Sequence, residues 1–170
     1  FLAAFARGED SGTFGELERM EMFAPGHLLD CGTHSLDMGI MLNHESPAVW
    51  VIGQIDCRRV KLVFGAPCTY QSISHVKYQN DVTSLIITGE KAREIGPPFR
   101  LQCTEGIIQI GWGPDDGPML KYLRYGTGNW TEVDCNAEHL HGPGYIERAM
   151  ADIVDAFRTA RLRCFGPTEA

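Results

Sequence analysis

From Ala48 to Val133 the chain is a succession of short β-rich runs separated by turn residues, and helical spacing occurs only before and after that stretch. Ala48–Ile55 and Val60–Phe64 are β-rich. Tyr70–Tyr78 and Val82–Thr88 flank Gln79-Asn80-Asp81. Arg100–Cys103 and Ile107–Trp112 flank Thr104-Glu105-Gly106, and Met119–Tyr125 and Trp130–Val133 flank Gly126-Thr127-Gly128. Strands that follow one another through tight turns pair antiparallel, whereas parallel neighbours need a long crossover. The pattern therefore predicts an α+β domain: an open, mostly antiparallel β-sheet with helices packed on one face.

The flanks supply those helices. Phe1–Arg7 reads as the tail of a helix and Gly8–Gly12 as a loop. Leu17, Met20, Met22 and Phe23 then fit a short strand closed by Pro25-Gly26. From Leu28 to Leu42 the spacing turns helical, with Leu29, Thr33, Leu36 and Ile40 on one stripe and Asp30, His34, Asp37 and Met41 on the next. A last helix runs from about Gly144 to Arg161 with Ile146, Met150, Ile153 and Phe157 on its apolar side. The whole chain, 1–170, is expected to form one domain. Its sheet is large for so few helices, so the uncovered face is the expected interface of a homo-oligomer.

A net charge of −7 carries no basic footprint for nucleic acid. The longest purely apolar run, Phe1–Ala6, falls far short of the roughly 20 residues that span a bilayer and lacks a signal-peptide pattern. A cytoplasmic protein is expected, and a chain that opens without Met suggests a trimmed one. The six cysteines (Cys31, Cys57, Cys68, Cys103, Cys135 and Cys164) are scattered with no CxxC pair, which points to reduced thiols packing as small hydrophobes.

Chemistry concentrates in Pro25-Gly26-His27-Leu28-Leu29-Asp30-Cys31-Gly32-Thr33-His34-Ser35-Leu36-Asp37. Asp30 and His34 stand four residues apart, which on a helix turns both side chains to the same side. A carboxylate beside an imidazole orients the ring and stabilises its protonated form, so the pair can take a proton from an alcohol whose carbon gives up a hydride. Gly32 leaves room between them for a close approach. Candidate substrate-binding residues are His27, the pair His139 and His141 ahead of the last helix, and Tyr145 at its start; packing against the sheet is the other use of Tyr145.

A turn containing Gly, then D-x-G-x-H-x-x-D on a helix after one strand, resembles the opening of the C-terminal domain in the glucose–fructose oxidoreductase, inositol dehydrogenase and MocA-like family. Cys103-Thr104-Glu105-Gly106-Ile107-Ile108 resembles that family's strand–turn–strand ahead of a late helix. The resemblance extends over nearly the whole chain. It implies NAD or NADP held by an N-terminal Rossmann domain upstream, and a sugar, polyol or related hydroxy compound as substrate. It further implies His34 as acid/base, Asp30 binding substrate or tuning His34, and Asp37 as structural, capping the helix or tying it to the sheet. This chain holds neither a G-x-G-x-x-G phosphate loop nor the family's Glu-Lys-Pro segment. By itself it is therefore expected to bind no dinucleotide tightly and to turn nothing over.

Other readings have less behind them. His27, Asp30 and His34 have spacing compatible with a metal, which would make the protein a metal-dependent lyase or isomerase. A zinc site wants three or four firmly placed ligands, and no metal is expected. A Cys31 nucleophile, next to Asp30 near a helix start where thiolates are stabilised, is a further reading with little behind it. A stand-alone ligand-binding or oligomerisation module without catalysis is the alternative from a different class.

Overall fold

The computed structural model describes residues 11–59, 61–63, 65–111, 117–134 and 145–158. The chain divides into two compact units, Phe1–Cys135 and Asn136–Ala170. In the first, the helical turn α1 (Ser11–Phe14) leads into β1 (Leu17–Ala24). A five-residue π-helical turn, Leu28–Gly32, then runs straight into α2 (Thr33–Leu42). Next come β2 (Ala48–Asp56), β3 (Lys61–Val63), β4 (Ala66–Cys68), β5 (Gln71–Tyr78) and β6 (Thr83–Thr88). The turn α3 (Ala92–Ile95) precedes β7 (Phe99–Cys103), β8 (Gly106–Ile110), β9 (Leu120–Arg124) and β10 (Trp130–Glu132). The second unit holds α4 (Tyr145–Arg158).

Eight strands form one open sheet in the order β10-β9-β8-β7-β1-β6-β5-β2, while β3 and β4 pair separately as a small hairpin. Every neighbouring pair in the large sheet is antiparallel except β1 and β6. Two antiparallel wings are thus joined by one parallel seam. The chain leaves β1 through α2, starts again at the far edge with β2, and works back through β5 to β6.

The three predicted hairpins are present in register: Lys77↔Thr83, Cys103↔Gly106 and Leu123↔Trp130 close them. Asp81, with φ 69, takes the left-handed conformation that the first of these turns requires, one that Asp tolerates better than most residues. Trp112, expected at the end of the strand after Thr104-Glu105-Gly106, lies outside the described residues, and β8 ends at Ile110.

One face of the sheet carries the core. Met20, Met22, Ile86, Leu101, Ile108 and Leu120 are all essentially inaccessible. Burying each contributes about 1.5–3 kcal/mol relative to exposure. Phe14 is also fully buried and meets Tyr122 edge-to-face at 5.2 Å. That contact explains why Ser11–Phe14, expected as part of a loop and its continuation, winds into a helical turn. Polar groups on this face are satisfied in pairs: Ser72 Oγ and Thr88 Oγ1 are 2.8 Å apart, and Tyr78 Oη and Ser84 Oγ 3.2 Å.

The expected stripe of α2 is only in part its buried face, since Leu36 packs against the core. Leu29 is 72% and Ile40 42% exposed, while Gly32, Ser35, Gly39 and Leu42 are buried. A Cβ at Gly39 would stand 3.0 Å from the Met22 thioether. The sheet beneath is already bulky, so the helix backbone sits close only where its own residues are small.

On the opposite face, paired residues form rows from edge to edge. One runs from Trp50 through Lys77, Thr83, Arg19, Gln102, Ile107 and Leu123 to Trp130. Its middle is polar: Arg19 reaches both Gln102 and Glu21 at 2.8 Å, and Arg100 lies 3.8 Å from Glu21. Its β2 end is apolar and open, with Trp50, Ile52 and Ile73 all exposed. In the second unit, α4 has Met150, Ile153 and Phe157 on its expected apolar side, and all three are exposed; the side chain of Ile146 lies outside the described residues.

Candidate functional site

The turn that follows β1 is built around one carbonyl. His27, extended at φ −112 and ψ 165, accepts at its carbonyl oxygen from the N–H groups of Asp30 and Gly32, each at 3.3 Å. The second of these bonds closes the wide π-type loop, a geometry found frequently at functional sites. Thr33 Oγ1 donates to the Asp30 carbonyl at 2.6 Å and Ser35 Oγ to that of Cys31 at 3.4 Å, which ties the turn to the first residues of α2. Gly26, at φ +89, bends the chain into this turn, and a Cβ there would come 3.2 Å from the Cys31 sulfur.

This backbone turns Asp30 outward. Its side chain is 59% exposed, and His34 is also exposed. His27 is different: it is buried, its Nε2 lies 3.9 Å from Asp30 Oδ2, and its Nδ1 has no hydrogen-bond partner among the described residues. Burial, and then the charge of Asp30, push the Cys31 thiol above its ordinary value, so the group is less available as a thiolate.

Two expectations are corrected. Gly32 opens no space for a substrate: it is buried, and a Cβ there would meet Leu28 Cδ1 at 3.0 Å and Thr88 Cγ2 at 3.2 Å. Its missing side chain serves the contact between helix and sheet. Asp37 is exposed and makes no hydrogen bond or ion pair among the described residues, so it ties nothing to the sheet. His139 and His141 lie outside the described residues, as does the side chain of Tyr145. Among the described residues, no three His, Cys, Asp or Glu side chains are grouped to hold a metal ion.

A cavity of about 580 Å³ lies at the end of the β2–β5 pair, lined by residues that include Gln54, Asp56, Arg58 and Gln71. Arg58 holds Asp56 with bonds of 3.0 Å from Nε and 2.7 Å from Nη2, and this bonding keeps the Asp56 carboxyl down at about 2. The cavity stands at the same end of the sheet as the His27–Asp30 turn: Gly89, at the end of β6, bonds the Ala24 carbonyl on one side and adjoins Gln71 on the other. Sequence reasoning missed Asp56 and Arg58, a local pair two residues apart, and Gln71, which only strand register brings beside Asp56. The cavity does not single them out as the reacting groups, since Arg58 and Asp56 already neutralise each other. Asp30 and His34 present a carboxylate and an imidazole to solvent.

This open, mostly antiparallel sheet entered through a β1–turn–α2 unit is a fold shared with solved NAD-binding and sugar or polyol oxidoreductases. Three solved structures illustrate the likeness. Aldose–aldose oxidoreductase from Caulobacter crescentus, complexed with glycerol, superposes with a TM-score of 0.68 at 12% identity, covering 93% of this chain and 50% of that one. Levoglucosan dehydrogenase, in complex with NADH and levoglucosan, gives 0.62 at 16% identity, covering 94% and 53%. An inositol dehydrogenase homolog from Azotobacter vinelandii, complexed with NADH and myo-inositol, gives 0.57 at 14% identity, covering 77% and 39%. The chain thus spans about half or less of the length of the solved chains it matches. No family model matches the sequence, and no curated protein does. No helix among the described residues is long and apolar enough to cross a membrane.

Proposed function

We propose that the protein carrying this chain is a nicotinamide-dependent oxidoreductase of a sugar, polyol or related hydroxy compound, and that this chain is its substrate-side domain. The observation that carries the reading is the exposed Asp30 carboxylate and His34 imidazole at the end of β1, on a fold shared with NAD-binding oxidoreductases of such compounds. The dinucleotide would accept the hydride. No phosphate-cradling glycine loop exists in this chain, so its binding is assigned to an upstream domain.

The part of this chain is the proton. His34 takes the hydroxyl proton as the C–H bond gives up its electron pair, leaving a carbonyl product. Asp30 orients the ring and stabilises the imidazolium that results. His27, His139, His141 and Tyr145 are proposed to contact the substrate or to hold the residues that do. The test is His34→Ala in the intact protein, assayed for nicotinamide reduction with a panel of polyols and aldoses. Unchanged turnover would remove His34 from the chemistry.

We further propose a homo-oligomer through the open face of the sheet. On that face Trp50 and Ile52 of β2 and Ile73 of β5 are all exposed large hydrophobics. Contiguous apolar surface of this kind marks an interaction site more often than bare solvent-facing protein. The same surface serves the alternative of an assembly module without catalysis, and the His34 assay separates the two.

A further inference from the structure

We propose that His27 is the positioning residue for the Asp30 carboxylate, with a proton on the Nε2 that faces it. Three observations converge on it. The imidazole is buried while the Asp30 side chain three residues later is 59% exposed. The Nε2 nitrogen lies 3.9 Å from Asp30 Oδ2, within ion-pair range and longer than a hydrogen bond. The opposite edge is sealed: Nδ1 is buried and finds no partner among the described residues.

The tautomer follows from these surroundings. A carboxylate accepts only, so the nitrogen facing it carries the proton. A proton on Nδ1 would add a buried donor with no acceptor. The bare Nδ1 lone pair is what remains. The backbone adds a constraint of its own, because the His27 carbonyl binds the N–H groups of Asp30 and Gly32. One residue therefore holds Asp30 at both its main chain and its carboxylate. His27 has too little exposed surface to meet a substrate broadly, so its contribution passes through Asp30.

What this does for turnover rests on the function proposed above, but the pairing itself is testable without any substrate. In the full chain labelled with ¹⁵N, long-range imidazole spectra are expected to show His27 with a protonated Nε2 and a bare Nδ1. Three-bond couplings are expected to show Asp30 in a single χ1 rotamer. His27→Ala should average the Asp30 couplings. His27→Gln, which places an amide N–H near the former Nε2, should restore the single rotamer. Asp30→Asn, at an exposed side chain, should move the His27 Nε2 resonance in the folded protein. A protonated Nδ1, an Asp30 rotamer already averaged in the unaltered chain, or couplings indifferent to His27→Ala would overturn the proposal. Failure of the His34→Ala assay with these signatures intact would instead leave the pairing in place and remove the oxidoreductase reading.

Discussion

The bare Cα of Gly32 rests on the methyl of Thr88: a Cβ added to the glycine would stand 3.2 Å from Thr88 Cγ2. Thr88 cannot give way easily, because its hydroxyl is bonded to Ser72 Oγ at 2.8 Å in the buried layer. Gly32→Ala is therefore expected to lower stability by about 1 kcal/mol, the low end of overpacking costs. Gly39→Ala meets the tip of Met22, a flexible thioether, and gains about 1 kcal/mol of helix propensity. It should be neutral or stabilising. Urea unfolding of the two variants side by side checks the contrast.

Turnover in the intact protein is expected to fall roughly 10²–10⁴-fold for His34→Ala, the usual range for a lost general acid or base. The variant's stability, read from denaturant unfolding, should fall far less than its turnover. A variant that lost stability in proportion to activity would point to a structural role.

The Asp56 carboxyl should titrate near 2, chiefly through its bonds from Arg58. Its folded value is depressed below the unfolded one, about 3.9. The stabilisation it brings is thus fully present above about pH 4 and is lost as pH falls through 2. Arg58→Ala should return the midpoint toward the ordinary aspartate value, as read from the carboxyl ¹³C shift. A midpoint unmoved by that substitution would count against the ion pair in solution.

Thiol labelling should separate two cysteines. Cys103 is buried, and its thiol is pushed up to about 11 by that burial and, secondarily, by the charge of Glu18. Cys57 is exposed. Under native conditions at neutral pH, iodoacetamide should modify Cys57 and leave Cys103 untouched until the chain unfolds, which peptide mapping can follow.

The exposed apolar β2 predicts self-association. Sedimentation equilibrium should give a dimer or larger species, and Ile52→Glu, at a position 67% exposed, should shift it toward monomer without changing the circular dichroism. A monomer at high concentration in the unaltered protein would exclude the sheet-face interface.

Local chemistry explains what was legible beforehand. The hairpins at Asp81, Thr104-Glu105 and Gly126-Thr127-Gly128 depend on residues within a few positions of each other, and all three formed as read. The hairpin of β3 and β4 was half seen: 60–64 reads as β-rich, but Ala66–Cys68 has too few residues to show a period. The Asp30–His34 spacing was visible for the same local reason.

The sequence by itself determined the order of strands and turns, the helical segment after β1, and the carboxylate–imidazole spacing, because turn preference and side-chain period act over a few residues. Only the tertiary structure decided that β6 returns to lie parallel to β1, that Leu29 and Ile40 face outward, and that His27 is enclosed beside an exposed Asp30. Those outcomes depend on bulk arriving from strands far away in the chain. Met22 and Thr88 admit the helix backbone closely where Gly39 and Gly32 meet them, and that contact leaves Leu29 and Ile40 on the solvent side.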